Sequence, residues 1–195
     1  MAAATNEYVA FEASALTNYI QENTPINPIH EEHYHELALQ ILHNLEHQHR
    51  WTNLTIHTHS PVAQKPLPRP LISGLPTKRF YIHPDEQIAL LEAESAQNKA
   101  AEAIGTAPEA VAALVPEREW VLPHHRMEKW TLRKLAEIMD SVTLVPPAMT
   151  VDEKARKEVK NKWRTTKRVL LATLQDDSTV VYYIIHDGVV KPRQN

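Results

Sequence analysis

Histidine is the residue type with the most unusual chemical potential in this 195-residue sequence. Eight of the 12 histidines lie between His30 and His59. His43 and His47 lie four residues apart, a spacing at which two imidazoles on one helix face can chelate a metal ion. A metal site would need further ligands, and the sequence has no cysteine or HExxH motif that would supply them to this pair or to His57 and His59. A polar, solvated surface is therefore the favoured interpretation and a zinc site the alternative, and we expect no metal or cofactor.

A basic segment lies in the last quarter of the chain. Between Val151 and Arg168 there are eight Lys or Arg against three acidic residues, so this segment is +5 in a chain whose net charge is −3. Such a concentration favours contact with a phosphate backbone. A solvated helix face is an equally good interpretation. The candidates for RNA contact are Lys160, Lys162, Arg164, Lys167 and Arg168.

Two adjacent carboxylates, Asp176 and Asp177, stand between two apolar runs. Aspartate is common in turns because its side chain bonds to the nearby backbone, so turn formation is the favoured interpretation. The alternative is a charged tip that docks into a basic groove of a partner protein.

Composition excludes several classes of function. The three glycines, Gly74, Gly105 and Gly188, are far apart, which excludes a glycine-rich phosphate-binding loop. Cysteine is absent, so thiolate zinc sites, cysteine nucleophiles and a disulfide scaffold are excluded. No segment approaches the ~18 apolar residues of a membrane span. We expect an intracellular, soluble protein.

The apolar pattern predicts the elements that must position these residues. In the first half it predicts a loose helix within 8–20, a helix over 29–49, a strand over 51–57, a loop or extended crossing at the prolines of 61–70, a short strand over 79–82 and a helix over 84–93. A helical extension and a mobile linker are expected over 93–117.

The second half is predicted to contain a strand at 120–122 and helices over 130–142 and 151–163, followed by a β-hairpin. The hairpin strands are 169–174 and 179–185. Apolar residues occupy both parities of the second strand, so we expect both of its faces to be covered. Asp187-Gly188 predicts a tight turn that returns a short strand, Val189-Val190.

The end of the chain resembles a known family. The strings Lys167–Thr173 and Asp176–Tyr183, followed by Asp187-Gly188, resemble the tRNA-splicing endonuclease family, and within it the small non-catalytic subunit. The clear similarity covers roughly residues 163–195, with weaker support from residues 120–142.

The resemblance implies an α/β fold, a small mixed β-sheet flanked by helices. We expect a mobile tail over 1–28 and one endonuclease-like domain over 29–195, with flexible insertions near 60–76 and 93–117. Family subunits pair through their C-terminal strands, and an acidic loop of a structural subunit inserts into a catalytic one. The expected partner-binding residues are Asp176, Asp177, Val180, Val181, Tyr182, Tyr183, Ile184 and Ile185.

The expected partner is the catalytic subunit that cuts the 3′ splice site, within a heterotetramer, with precursor tRNA contacted weakly or indirectly. The family acts in the nucleus or, in some fungi, at the cytosolic face of mitochondria. Catalytic members use a Tyr, a His and a Lys. Here no Tyr occurs between Tyr81 and Tyr182 and no His between His125 and His186, so no catalytic residues are expected. The alternatives are a stand-alone nuclease that uses the N-terminal histidines or a metal, and a generic protein-interaction module.

Overall fold

A computed structural model of the protein describes residues 12–104, 115–148 and 161–188. Its centre is a five-stranded sheet in which the strands lie side by side in chain order. The third and fourth strands are parallel and the other neighbours antiparallel, which confirms the predicted α/β fold with a mixed sheet. The elements are α1 (Ala15–Asn23), α2 (Glu32–His47), β1 (Thr52–His59), β2 (Pro66–Leu75), α3 (Pro84–Ile104), β3 (Glu119–His125), α4 (Leu132–Ser141), β4 (Arg168–Leu174) and β5 (Val180–His186).

Helix α2 covers one face of the sheet, as its helical spacing of apolar residues predicts. Ile41 and Leu45 are fully buried on this face against residues such as Ile72 and Val121. Helix α1, which begins after an N-cap at Ser14, packs on the outside of α2. The loose helix predicted within 8–20 overlaps α1 at residues 15–20, and its first part, residues 8–11, lies outside the described residues.

Helix α4 covers the opposite face. Ile138 and Met139 pack against Trp120, Leu122 and Val169, all of them buried. The hydroxyl of Thr131 accepts a hydrogen bond from the Lys134 N–H and caps the helix N-terminus. The centre of the sheet therefore lies between two apolar layers, one under α2 and one under α4.

The proline-rich segment corrects one expectation. A loop or extended crossing was expected there, but residues 66–75 form strand β2, and most of its side chains are buried. Pro66, Pro68 and Pro70 alternate, so their missing N–H groups all fall on one side of the strand. The paired residues on the β3 side are Ile72, Ser73 and Gly74, which lie beyond the last proline. Strand β2 can thus contain three prolines because they lie in its first half, which does not pair with β3.

Other expectations have mixed outcomes. The strand expected over 79–82 is wrong, since this segment has no strand hydrogen bonds and Arg79 instead pairs with Glu86 and Glu117. Helix α3 includes the predicted extension, whereas the linker at 105–114 and the return strand at 189–190 lie outside the described residues. Most of the helix expected over 151–163 lies outside them too, and the described residues 161–163 form a turn. None of the helices in the described ranges combines the length and apolar character that crossing a bilayer requires.

Candidate functional site

Strand β5 forms one edge of the sheet. It pairs with β4 along its whole length, from Val180 opposite Leu174 to His186 opposite Arg168, and no strand of the described ranges lies beyond it. Tyr183 is 57% exposed and Ile184 36% exposed. The expectation that both faces of this strand are covered is therefore wrong for the described residues, whose helices leave Tyr183 and Ile184 exposed at this edge.

The backbone hydrogen bonds show which groups of β5 face outward. The Gln175 N–H donates to the Thr179 carbonyl at 2.9 Å, and the Asp187 N–H donates to the Lys167 carbonyl at 2.8 Å. In an antiparallel ladder hydrogen-bonded and non-hydrogen-bonded pairs alternate. The odd-numbered residues of β5 therefore bond to β4, and the even-numbered ones direct their N–H and C=O groups away from it. The outward-facing residues are Val180, Tyr182, Ile184 and His186.

The side chains of β5 divide between the two faces. Val180 and Tyr182 pack against the core under α2, and the Tyr182 hydroxyl donates to Asn44 Oδ1 at 2.6 Å. Burial raises the pKa of Tyr182 above its ordinary value. Ile185 packs against the core under α4. Tyr182 and Ile185 thus anchor the strand, and Tyr183 contributes an exposed surface.

The hairpin tip presents its two carboxylates to solvent. Asp177 Oδ1 accepts the Thr179 N–H at 3.0 Å, and this hydrogen bond lowers the pKa of Asp177. Asp176 is 74% exposed, with Oδ1 3.3 Å from His125 Nε2. Asp177 therefore forms the turn, as the favoured interpretation expected, and both carboxylates remain accessible to a partner.

Two of the candidate RNA-contact residues are buried, which corrects the expectation for Arg164 and Arg168. Arg164 donates to Glu117 Oε2 at 2.8 Å and to Glu119 Oε2 at 3.0 Å. Arg168 pairs with the same two carboxylates. Burial opposes the charge of Glu117, but hydrogen bonds from Arg164 and Asn161 and the surrounding arginines hold its pKa below its ordinary value. These arginines are therefore structural.

The lysine candidates differ from the arginines. Lys162 is exposed, and its Nζ lies 4.8 Å from the centroid of the Trp163 ring. Lys167 is half-buried and its Nζ donates to the Met139 carbonyl at 2.9 Å. Lys160 lies outside the described residues. Of the five basic candidates, Lys162 is thus the described one with the most accessible charge.

The histidines of the first half do not converge. His43 and His47 have ring centroids 4.3 Å apart and border a shallow cavity between α2 and the hairpin tip. His57 is hydrogen-bonded to Ser73 Oγ at 2.8 Å, and burial, followed by the charge of Arg118, lowers its pKa to about 4. Nowhere in the described ranges do three His, Asp or Glu side chains lie close enough together to hold a metal ion.

Sequence reasoning missed four aromatic side chains that meet at the end of the sheet opposite the hairpin tip. The Tyr81 and His186 ring centroids are 4.7 Å apart, and those of His83 and Trp163 are 5.8 Å apart. Each pair joins residues about eighty to one hundred positions apart in the chain. No local pattern could have indicated these contacts.

Comparison with known proteins gives two matches. The family model described as "Sen15 protein" matches residues 40–195, a range that includes all five strands. A curated protein of Neurospora crassa, named as a probable tRNA-splicing endonuclease subunit, tsp-1, is 44% identical over 168 residues. The aligned region covers 85% of this chain and 68% of that protein.

Proposed function

Because the chain belongs to the Sen15 protein family, we propose that it is a non-catalytic structural subunit of a tRNA-splicing endonuclease. In this role it pairs with the catalytic subunit that cuts the 3′ splice site and supports the removal of introns from precursor tRNA. We propose the nucleus as its compartment, with the cytosolic face of mitochondria as the alternative.

The observation that supports this role best is the exposed edge of β5. An apolar strand of seven residues with outward-facing N–H and C=O groups is prone to non-specific pairing when it is left open. A strand from another subunit would satisfy those groups and cover Tyr183 and Ile184. The edge therefore fits a subunit whose task is assembly.

The hairpin tip adds a charged contact to the same surface. Asp176 and Asp177 project at the start of β5, and both are solvent-exposed. Opposite charges across an interface mainly fix orientation and speed association. We expect the two carboxylates to select the orientation of a basic partner groove, and the strand to supply most of the affinity.

The non-catalytic assignment is supported by the sequence window in which the catalytic Tyr and His of the family lie, since neither residue type occurs there. A lysine without a partner base cannot transfer the protons that ribose cleavage requires. The alternative nuclease would need the N-terminal histidines, and two of them serve the fold instead. His35, on α2, is buried, and His57 is hydrogen-bonded to Ser73.

Co-expression with the 3′-site catalytic subunit of the same organism, followed by size-exclusion chromatography and a pre-tRNA cleavage assay, tests the proposal. We expect the two chains to co-elute and this chain alone to leave pre-tRNA uncut. Tyr183→Asp is the critical variant. If the exposed 57% of Tyr183 becomes buried, the residue loses roughly 110 Å² of exposed surface; since part of this is the polar hydroxyl, the burial is worth about 2 kcal/mol or ~30-fold in affinity.

Leu132→Asp is the matched control, because Leu132 is also highly exposed but lies on α4, away from the edge. We expect it to leave assembly unchanged. Failure of the wild-type chains to co-elute would refute the pairing, and cleavage by this chain alone would refute the non-catalytic role.

A further inference from the structure

Four aromatic residues and one lysine form a surface group that the assembly role does not require. We call Tyr81, His83, Trp163, His186 and Lys162 the aromatic platform. The rings of His83 and Trp163 are 13° from parallel with centroids 5.8 Å apart, which is an offset stack. An offset stack leaves part of each ring face uncovered. His83 is 35% exposed and Trp163 is half-buried, and neither is part of the two apolar cores of the described residues.

A positive charge lies over the face of one of these rings, that of Trp163. Lys162 Nζ is 4.8 Å from the Trp163 ring centroid, within range of a cation–π contact, and the Lys162 side chain is exposed. Among the described residues, Asp85 lies near the platform, with Oδ2 3.6 Å from His83 Nδ1, and the buried carboxylate of Glu119 lies near His186.

Buried ionic contacts hold the platform in place. The side-chain amide of Asn161 donates a hydrogen bond to Glu117 Oε1 at 2.7 Å, and its Oδ1 accepts one from the backbone N–H of Trp163 at 3.0 Å. Arg164, next in the chain, is fixed by Glu117 and Glu119. The turn at 161–164 is therefore fixed on both sides of Trp163, so the backbone that carries the indole is already in place before a ligand binds.

The platform lies at the opposite end of β5 from the acidic tip. Strand β5 has seven residues, which corresponds to roughly 23 Å at ~3.3 Å per residue. A partner that binds the tip and the edge can leave the far end accessible. Aromatic faces beside a lysine are the usual means of holding single-stranded nucleic acid, since every base has a face that stacks and every nucleotide a phosphate.

We propose that the aromatic platform binds unpaired nucleotides of single-stranded RNA, with Trp163 and His83 stacking on bases and Lys162 contacting a phosphate. This inference rests on the proposed function, which brings precursor tRNA to the complex. It assigns direct RNA contact to a surface that adjoins the partner-binding edge only at His186, the last residue of β5, and that presents Trp163, His83 and Lys162 from outside the strand.

The test measures binding of the full-length chain to a short, fluorescently labelled, single-stranded oligouridylate at several salt concentrations. Trp163→Ala should weaken binding roughly tenfold, the loss typical of one base stack. It should leave the salt dependence unchanged. Lys162→Ala should reduce the slope of log affinity against log salt by about 0.7, the value for one phosphate contact on a single strand. Trp163→Phe, which keeps a stacking face, should retain most of the binding.

Lys134→Ala and Leu132→Ala are matched controls on the exposed surface of α4, and neither should change binding. Thermal unfolding and co-elution with the catalytic subunit are measured for every variant. Wild-type affinity in Trp163→Ala, or no RNA binding by the wild-type chain, would overturn the inference even if assembly is normal. Loss of co-elution in Trp163→Ala would show that the platform contacts protein and would also overturn it. Failure of the wild-type chains to co-elute would refute only the proposed function.

Discussion

A proline at position 184 distinguishes strand pairing from a simple apolar contact at the β5 edge. The Ile184 N–H faces away from β4 in the alternation set by the backbone hydrogen bonds. Ile184→Pro therefore removes an outward donor and keeps the ladder to β4 intact. Edge strands accept proline at such positions, and the preceding residue already has the extended conformation that proline requires.

The expected loss of affinity has a side-chain part and a backbone part. Ile184 is 36% exposed, and covering that fraction of an isoleucine is worth roughly 0.5–1 kcal/mol, so Ile184→Ala should weaken assembly about 2–5-fold. The proline also leaves a partner carbonyl unpaired in the interface, at a cost of about 1–3 kcal/mol. Ile184→Pro should therefore bind roughly 5–150-fold more weakly than Ile184→Ala.

Titration of the catalytic subunit with each variant, by a fluorescence or calorimetric assay, measures this difference. Tyr183→Pro is the contrasting variant, because the Tyr183 N–H faces β4 and its loss should lower the free energy of unfolding of the chain by itself. If Ile184→Pro folds normally and binds as tightly as Ile184→Ala, the outward backbone groups take no part in assembly and the strand-pairing argument fails.

Two further predictions concern acid stability. The fold lowers the pKa of Glu117, so the stabilisation that its carboxylate provides is complete above the ordinary pKa of 4.5 and is lost as the pH falls through the folded pKa. Glu117→Gln should therefore lower the free energy of unfolding at neutral pH. It should also make that free energy decrease less steeply in acid, as measured by urea unfolding. His57 has its pKa lowered from 6.5 to about 4, so the folded form resists protonation and stability falls as the pH drops from 6.5 towards 4. His57→Phe should reduce that slope, whereas His59→Phe, at an exposed position, should leave it as in the wild type; equal slopes in all three proteins would contradict the argument.

Local periodicity was sufficient to predict helices α2 and α4 and the hairpin of β4 and β5. Helices α2 and α4 each have an apolar stripe at helical spacing, and the hairpin of β4 and β5 has two apolar runs separated by a turn. These signals arise from contacts that any sheet and its covering helices make. The same logic was wrong for β5, because its apolar residues of both parities predict a cover that the described part of the chain does not supply.

Long-range charge pairing was beyond the reach of sequence reasoning. Arg164 and Arg168 were predicted to contact RNA or to lie on a solvated helix face, yet their carboxylate partners, Glu117 and Glu119, lie more than forty residues upstream. Net charge counts cannot distinguish a buried guanidinium from an exposed one. The prediction for the proline-rich segment of β2 was wrong for a related reason. Whether a strand can contain these prolines depends on where its pairing with β3 begins.

The buried ionic cluster is better explained by positioning than by stability. Well-packed apolar residues of similar volume often stabilise a fold as well as a buried ion pair does. The carboxylates of Glu117 and Glu119 instead fix the orientation of the Arg164 side chain. Its planar guanidinium can donate hydrogen bonds to both carboxylates in only a few arrangements. With Arg164 directed inward and Asn161 bonded to Glu117, Trp163 is held at the surface beside His83. Arg164 and Arg168, which the charge pattern predicted to contact RNA, would thus support RNA binding only indirectly. They fix the turn that presents Trp163 and Lys162 at the surface.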